Sequence, residues 1–498
     1  MGRRRKKHQV QKSAAEVQAE ALSRYQQLLS PEDFAALQGA LEQPLYPAIR
    51  FNPLKVEPDE SISQLAGRYG WQVEPVPYCT TGWWVKQAER SISQTIEHRE
   101  GHYYIQDAAS MLPVELFDFS DLENPLILDM AASPGGKTTH LIAKSRDHGL
   151  VIANDASKDR ITALRLVLQT WGGSHVAVSR FPGEKLGMWY PEVFDRVLLD
   201  APCSMQNLRS TESHPMRDIS SRERSQLSHR QRRLLASAIQ AVKPGGQVVY
   251  ATCTLSPEED EVVLEAMLNQ FPGKVEIENL NNRLPLPAPA LQSDGKVVFN
   301  PKVQNAARLW PHRYGTSGFF CALITKLDSV GGKVEEPPQR SFEKVSLFAL
   351  SREESVELSD DLMERYQFDL DAVLWENQLT LWRRVDKIYA IPETFLLHFS
   401  LLPFQAVGLL LGEAQINGYE LSHEWVSRFY PRFFTRRFRL GEDLVESWLR
   451  GEDIPVEIRG QQAAGSVMIV EDPEGRFLGL GKVLQGLLKN LLPHRLAI

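Results

Sequence analysis

Cysteine is scarce in this chain: Cys79, Cys203, Cys253 and Cys321 are the four present in 498 residues, with no CxxC pair and no cysteine–histidine cluster. Nothing therefore points to a disulfide framework or a zinc site; no metal is expected, and the cell's reducing interior, the cytoplasm, is the expected home. Long apolar runs are lacking too. The most apolar stretch, 395–414, is interrupted by His398, Pro403, Gln405 and Glu413, so it is expected in a core and not across a membrane. The cationic start is followed at 13–30 by a polar, helix-like segment instead of the apolar segment of a signal peptide. Excess positive charge is also missing. A formal net charge of -7 gives no sign of a phosphate-binding surface in the whole.

The material that is present is that of a folded, multi-domain protein. Hydrophobic residues at 43% and charged residues at 24% are ordinary globular values, and the length exceeds what one core organises. Locally the charge reverses. Residues 1–12 form a block of cations without core-forming side chains, a mobile arm suited to phosphates. Near the other end, Arg428-Phe-Tyr-Pro-Arg-Phe-Phe-Thr-Arg-Arg-Phe-Arg439 interleaves cations with aromatics, a composition suited to phosphates and stacked bases. The same pattern also arises when aromatics fill a core beneath arginines on a solvated face.

Between these ends the periodicity predicts a helical entry and small α+β region at 13–115. Apolar runs then alternate with helical segments at 116–327, the rhythm of a doubly wound parallel sheet. Its strands are expected at 126–130, 151–154, 176–179, 193–200 and 246–252. The last strand, 318–325, follows no long crossover helix, which suits an antiparallel insertion. A glycine- and proline-marked linker is read at 328–340, an α+β region at 341–402 and a final module at 403–498.

The densest chemistry begins at Leu126-Ile-Leu-Asp-Met-Ala-Ala-Ser-Pro-Gly-Gly-Lys-Thr-Thr139. A buried strand, a turn of small residues (Ala131, Ala132, Ser133, Pro134, Gly135, Gly136 and Lys137) and a helix start make a place where a nucleotide-like ligand can approach backbone N–H groups. Asp155, ending the second strand, can accept hydrogen bonds from ribose hydroxyls, so an adenosyl cofactor is expected. A phosphate-binding P-loop shares the ending Gly136-Lys137-Thr138. It fails at the front, where Ala131 stands for the required glycine and Pro134 lacks an N–H. The fourth and fifth strands end in Asp200-Ala-Pro-Cys203 and Thr252-Cys253-Thr254. Two cysteines at the carboxyl edge of neighbouring strands, where such sheets bind ligands, suggest catalysis more than core filling.

These motifs, with Arg50-Phe-Asn-Pro-Leu-Lys55, Gln106-Asp-Ala-Ala-Ser110, Pro257-Glu-Glu-Asp-Glu261 and Arg308-Leu-Trp-Pro311, resemble the RNA cytosine-C5 methyltransferases of the NOL1/NOP2/sun group over nearly the whole chain. The tail, through Arg439-Leu-Gly-Glu442, Trp448-Leu-Arg-Gly451 and Gly479-Leu-Gly-Lys482, is similar to the PUA-like region of bacterial 16S rRNA members. The resemblance implies an α/β fold: a Rossmann-like class I methyltransferase domain, a small N-terminal α+β RNA-binding region and a C-terminal α+β/PUA-like domain. It implies S-adenosyl-L-methionine as cofactor, held at residues 131–137, Asp155, Arg160 and Asp200. Cys253 becomes the nucleophile that adds to cytosine C6, Cys203 the residue that helps remove the C5 proton, and Asp200 an aid near N3 and the exocyclic amine. A monomer acting on RNA is implied, with 16S rRNA or the small ribosomal subunit favoured over tRNA. A catalytically impaired relative that only binds RNA is the competing reading, and the retained thiol and the acidic run 258–261 speak against it.

Two departures stand out. Met205-Gln206-Asn207 follows Ser204 where the family has glycines, so the Cys203 loop is not expected to use glycine conformations. Phe181-Pro182-Gly183 occupies the place of an aspartate near the adenine.

Overall fold

The computed structural model describes residues 14–209, 218–415, 418–456 and 465–496, so the basic arm at 1–12 lies outside the described residues. The chain divides into two units. One comprises Met1–Pro47, Asp107–Phe117 and Glu184–Val334; the other comprises Ala48–Gln106, Asp118–Gly183 and Glu335–Ile498.

In the second unit, strands β1 (Leu126–Asp129), β2 (Leu150–Asn154) and β3 (Val176–Ser179) are parallel and buried at every position. Burial on both faces explains why they read as continuous apolar runs without alternation. Helices α1 (Gly136–Lys144) and α2 (Lys158–Trp171) form the crossovers. Helix α2 starts at a Ser157 cap and stops at Gly172, whose φ of 79° is left-handed. Strand Phe404–Val407, from the stretch expected to be core, adds antiparallel to β3. Among the described residues no helix is long and apolar enough to cross a membrane.

The same unit holds an antiparallel sheet in the order Gln72–Pro75, Gly82–Gln87, Ala48–Phe51, Tyr103–Gln106, cored by Phe51, Trp71, Trp83 and Tyr103. Two five-stranded sheets come later in sequence, one from Leu347–Ala349 to Gly418–Leu421, the other from Arg437–Arg439 to Leu487–Asn490.

The basic aromatic stretch divides between core aromatics and exposed arginines, Arg432, Arg437 and Arg439 among them. Trp425, Phe429 and Phe433 are buried, and Phe433 stacks on Phe368 at 4.2 Å. Arg428 reaches the Leu54 carbonyl and lies 3.7 Å from Asp147. Arg432 pairs with Glu376, and Arg437 and Arg439 pair with Glu471. Apolar side chains that face a core and cations that meet acids leave Phe434 as the exposed large aromatic of the stretch.

In the first unit, β4 (Phe194–Asp200) runs parallel to β5 (Val242–Thr252), with Asp200 opposite Ala251. Helix α3 (Ser221–Ala241) is their crossover. Strand β6 (Phe319–Lys326) pairs antiparallel with β5, as the missing crossover required. The entry helix Ala14–Tyr25 buries Val17, Ala21 and Tyr25 against Leu208, Leu255 and Trp310.

Candidate active site

Parallel register places the ends of β4 and β5 side by side, and the loops leaving them bring the two cysteines together. Cys203 and Cys253 are half-buried free thiols with their sulfurs 3.1 Å apart. The hydrogen bond with Cys253, followed by burial, pushes the Cys203 thiol well above the usual cysteine range. Asp200, half-buried, stands at the last position of β4, three residues before Cys203.

The loops are fastened by Gln231, which the sequence did not mark, and by Glu259 and Arg308 of motifs that it did. The Ser204 N–H donates to Glu259 Oε2 at 2.9 Å, and Gln231 of α3 donates to the same oxygen and to the Pro202 carbonyl, each at 3.0 Å. Burial, the largest influence, holds the Glu259 carboxyl above its ordinary range despite these donors. The acidic run behind Cys253 is structural. Arg308 is fully buried, donates to Glu261 Oε1 at 3.0 Å, Asp260 Oδ2 at 3.2 Å and the Leu255 carbonyl at 2.8 Å, and so ties the strand Ala307–Leu309 to the loop after Cys253. Asp260 also accepts from Thr252 at 2.7 Å, immediately before Cys253. These acids therefore serve a rigid loop, and the case against a pure binding protein rests on the thiols alone.

Met205 corrects the expectation for its loop. It adopts a left-handed φ of 58° without being glycine, a conformation that costs a side chain-bearing residue about 1 kcal/mol or more. The Leu255 N–H bonded to the Gln206 carbonyl at 3.2 Å and the Gly318 N–H bonded to the Asn207 carbonyl at 2.8 Å hold the turn on either side.

In the second unit, the turn 131–137 joins β1 to α1. Its glycines also serve packing. A Cβ on Gly135, whose φ is 118°, would lie 3.0 Å from Val167 Cγ1, and one on Gly136 would lie 2.8 Å from Tyr104 Cε1. Ala132 donates its N–H to the Asn154 carbonyl at 2.8 Å, Ser133 and Pro134 are joined by a cis peptide bond, and Lys137 is half-buried in the first turn of α1. Arg50 braces that turn, donating to the Gly136 carbonyl at 3.0 Å and Thr139 Oγ1 at 2.7 Å while stacked 4.7 Å over Trp171.

Asp155 comes directly after β2 and is buried. Its Oδ1 accepts from the Ser157 N–H at 2.8 Å; its Oδ2 accepts from the Ser133 N–H at 3.3 Å and from the half-exposed Arg160 guanidinium. Ser133 returns a hydrogen bond to the Arg160 carbonyl at 3.2 Å. The carboxylate expected to hold ribose hydroxyls thus also ties the small-residue turn to α2. Asn154, which sequence reasoning missed, is a second staple: its side-chain amide donates to the Met130 and Phe181 carbonyls at 3.1 and 3.0 Å and accepts the Phe181 N–H at 2.9 Å. Phe181 is held by its backbone, and Pro182 beside it offers no carboxylate. A polar residue closing a buried apolar strand was the one signal that could have marked Asn154.

Similarity to known proteins agrees with this arrangement along the chain. Residues 118–325 match the family described as 16S rRNA methyltransferase RsmB/F, residues 18–108 the N-terminal domain of 16S rRNA methyltransferase RsmF, and residues 435–498 the methyltransferase RsmF PUA domain. The ribosomal RNA small subunit methyltransferase F of Vibrio campbellii is 32% identical over 472 residues, covering 94% of each chain. That of Klebsiella pneumoniae is 33% identical over 472 residues, covering 94% of this chain and 93% of the relative. The crystal structure of a methyltransferase homologue from Pyrococcus horikoshii is 31% identical with a TM-score of 0.51, covering 62% of this chain and 99% of that one. The Rossmann-like core, the N-terminal domain and the C-terminal PUA domain, with identity sustained over nearly the full length, make this chain a member of the ribosomal RNA small subunit methyltransferase F family.

Proposed function

We propose that this protein transfers a methyl group from S-adenosyl-L-methionine to C5 of a cytidine in small-subunit ribosomal RNA, through a covalent bond between Cys253 and C6. The observation that carries this reading is the 3.1 Å approach of two thiols from separate strand ends. Cytosine C5 is a weak nucleophile. Addition of a thiolate at C6 saturates the C5–C6 bond and leaves electron density on C5. Cys253 supplies that thiolate, with the Cys203 sulfur 3.1 Å from it. Asp200, at the end of β4, assists at N3 and the exocyclic amine. Once the Cys253 sulfur is bonded to carbon, it no longer holds the Cys203 proton by hydrogen bond or charge. After C5 has taken the methyl group, Cys203, its own proton released to solvent, accepts the proton from C5 as a thiolate, and the electron pair of that C–H bond re-forms the double bond and expels Cys253 as thiolate. The target base must leave its stack, since C6 is covered inside a helix.

The residues at 131–137 and Asp155 fit the adenosyl group: a strand–turn–helix entry ends beside a buried carboxylate, and the exposed Arg160 side chain is the donor that a ribose hydroxyl can replace. When bound, the sulfonium supplies the methyl as an electrophile. Lys137, near the same turn, offers a cation for the carboxylate of the methionine portion. The rRNA substrate is inferred from the names of the relatives and from the PUA domain. Bisulfite sequencing of 16S rRNA from cells with the protein, without it, and with Cys253→Ala tests the whole reading. One protected cytidine should disappear in both altered strains, and identical methylation in all three would refute it.

A further inference from the structure

In the segment 428–439, Arg428, Arg432, Arg437 and Arg439 each meet an acid, and an RNA backbone also calls for cations without such partners. Helix α3 provides them. Its sequence holds five arginines against one glutamate, in a chain whose net charge is -7. One face is fixed in the core by Leu234, Leu235, Ala238 and Ile239, and Gln231 anchors the helix to the Cys203 loop through the Pro202 carbonyl. On another face Arg222, Gln226, His229, Arg230 and Arg233 are all exposed. Their spacing of four, three, one and three residues draws a single stripe, about 16 Å from end to end at 1.5 Å per residue.

The stripe differs from an ordinary solvated helix face. Such faces set acids three or four residues from cations, where each pair gains a few tenths of a kcal/mol, and like charges at that spacing lose about as much. Here Arg230 meets Glu184 at 3.2 Å, while Arg222, His229 and Arg233 make no hydrogen bond or ion pair among the described residues. Arg224 of the same helix donates to Gln206 Oε1 at 3.2 Å, so the helix that carries the stripe also braces the loop beyond Cys203.

We propose that Arg222, His229, Arg230 and Arg233 form a phosphate track that grips the RNA backbone beside the target cytidine. This rests on the proposed action on RNA. The guanidinium fork is matched to phosphate oxygens, and a linear run of cations is matched to a backbone whose charges recur at regular intervals. A stripe anchored to the Cys203 loop holds the strand where the flipped base must arrive.

The test uses the full-length protein and a 16S rRNA transcript, with binding measured across salt concentrations for the parent, R222E/R233E and R222K/R233K. The charge-reversed protein should bind about tenfold or more weakly near 0.1 M salt, and its slope of log affinity against log salt should be shallower by about 0.7 for each lost phosphate contact. The lysine variant should keep the parent slope, and all three should melt alike and bind adenosylmethionine alike. Should R222E/R233E melt early, the neutral R222Q/R233Q is measured in its place. A parent that methylates the transcript beside a charge-altered variant with unchanged slope overturns the phosphate track alone. A parent that neither binds nor methylates the transcript overturns the underlying reading as well.

Discussion

Two regions stand out in composition, the cysteine loops around 203 and 253 and the basic aromatic segment 428–439, and folding treats them in contrary ways. The cysteines lie 50 positions apart in sequence and 3.1 Å apart in space, an approach that pushes the Cys203 thiol up. In the other segment, neighbours in sequence separate: Phe429 and Phe433 turn into the core, and Arg437 and Arg439 close on Glu471. Convergence of distant residues on one strand edge is a constraint of topology, whereas enrichment within one stretch says nothing about which side chains face inward. The exposed stripe on α3 is inconspicuous as sequence because its arginines lie among serines and glutamines without aromatics.

The contrast can be broken most sharply at the thiols. Cys253→Ala should remove turnover and any covalent RNA adduct, whereas Cys203→Ala should transfer one methyl group and remain attached to its RNA. Denaturing gels with labelled transcript distinguish the two, and an adduct with Cys253→Ala would exchange the roles. Next in size is the buried triad. Arg308→Met leaves Asp260 and Glu261 uncompensated, and losing one partner of a buried pair costs about 3 to 5 kcal/mol. Thermal melting should fall well below the parent, and adding Asp260→Asn and Glu261→Gln to the same chain should recover much of the loss. A melt unchanged by Arg308→Met would dismiss the triad as the brace of the Cys253 loop.

The smallest effect is expected in the basic aromatic segment, where Arg428→Ala should lower stability by about 1.5 to 3 kcal/mol, the worth of hydrogen bonds to a charged group. Its RNA affinity should keep the parent's salt slope, because Arg428 is occupied by Asp147 and the Leu54 carbonyl. A slope that falls with this substitution would return the segment to the RNA interface and erase the contrast.

Sequence by itself determined the elements whose surroundings are uniform. Strands β1, β2 and β3, buried on both faces, must be apolar throughout, and a β4–β5 pair without room between its ends must place the loop after Asp200 next to the loop after Thr252. Cys203, Cys253 and Asp155 were legible for that reason. Tertiary structure alone decided the partners of polar side chains. Asn154 as a staple, Arg308 between two carboxylates, Gln231 on Glu259, and Gly136 against Tyr104 each depend on a residue tens of positions away. A hydrogen bond or a close contact acts over a few ångströms of space, and no local period in the chain records which distant group will be there.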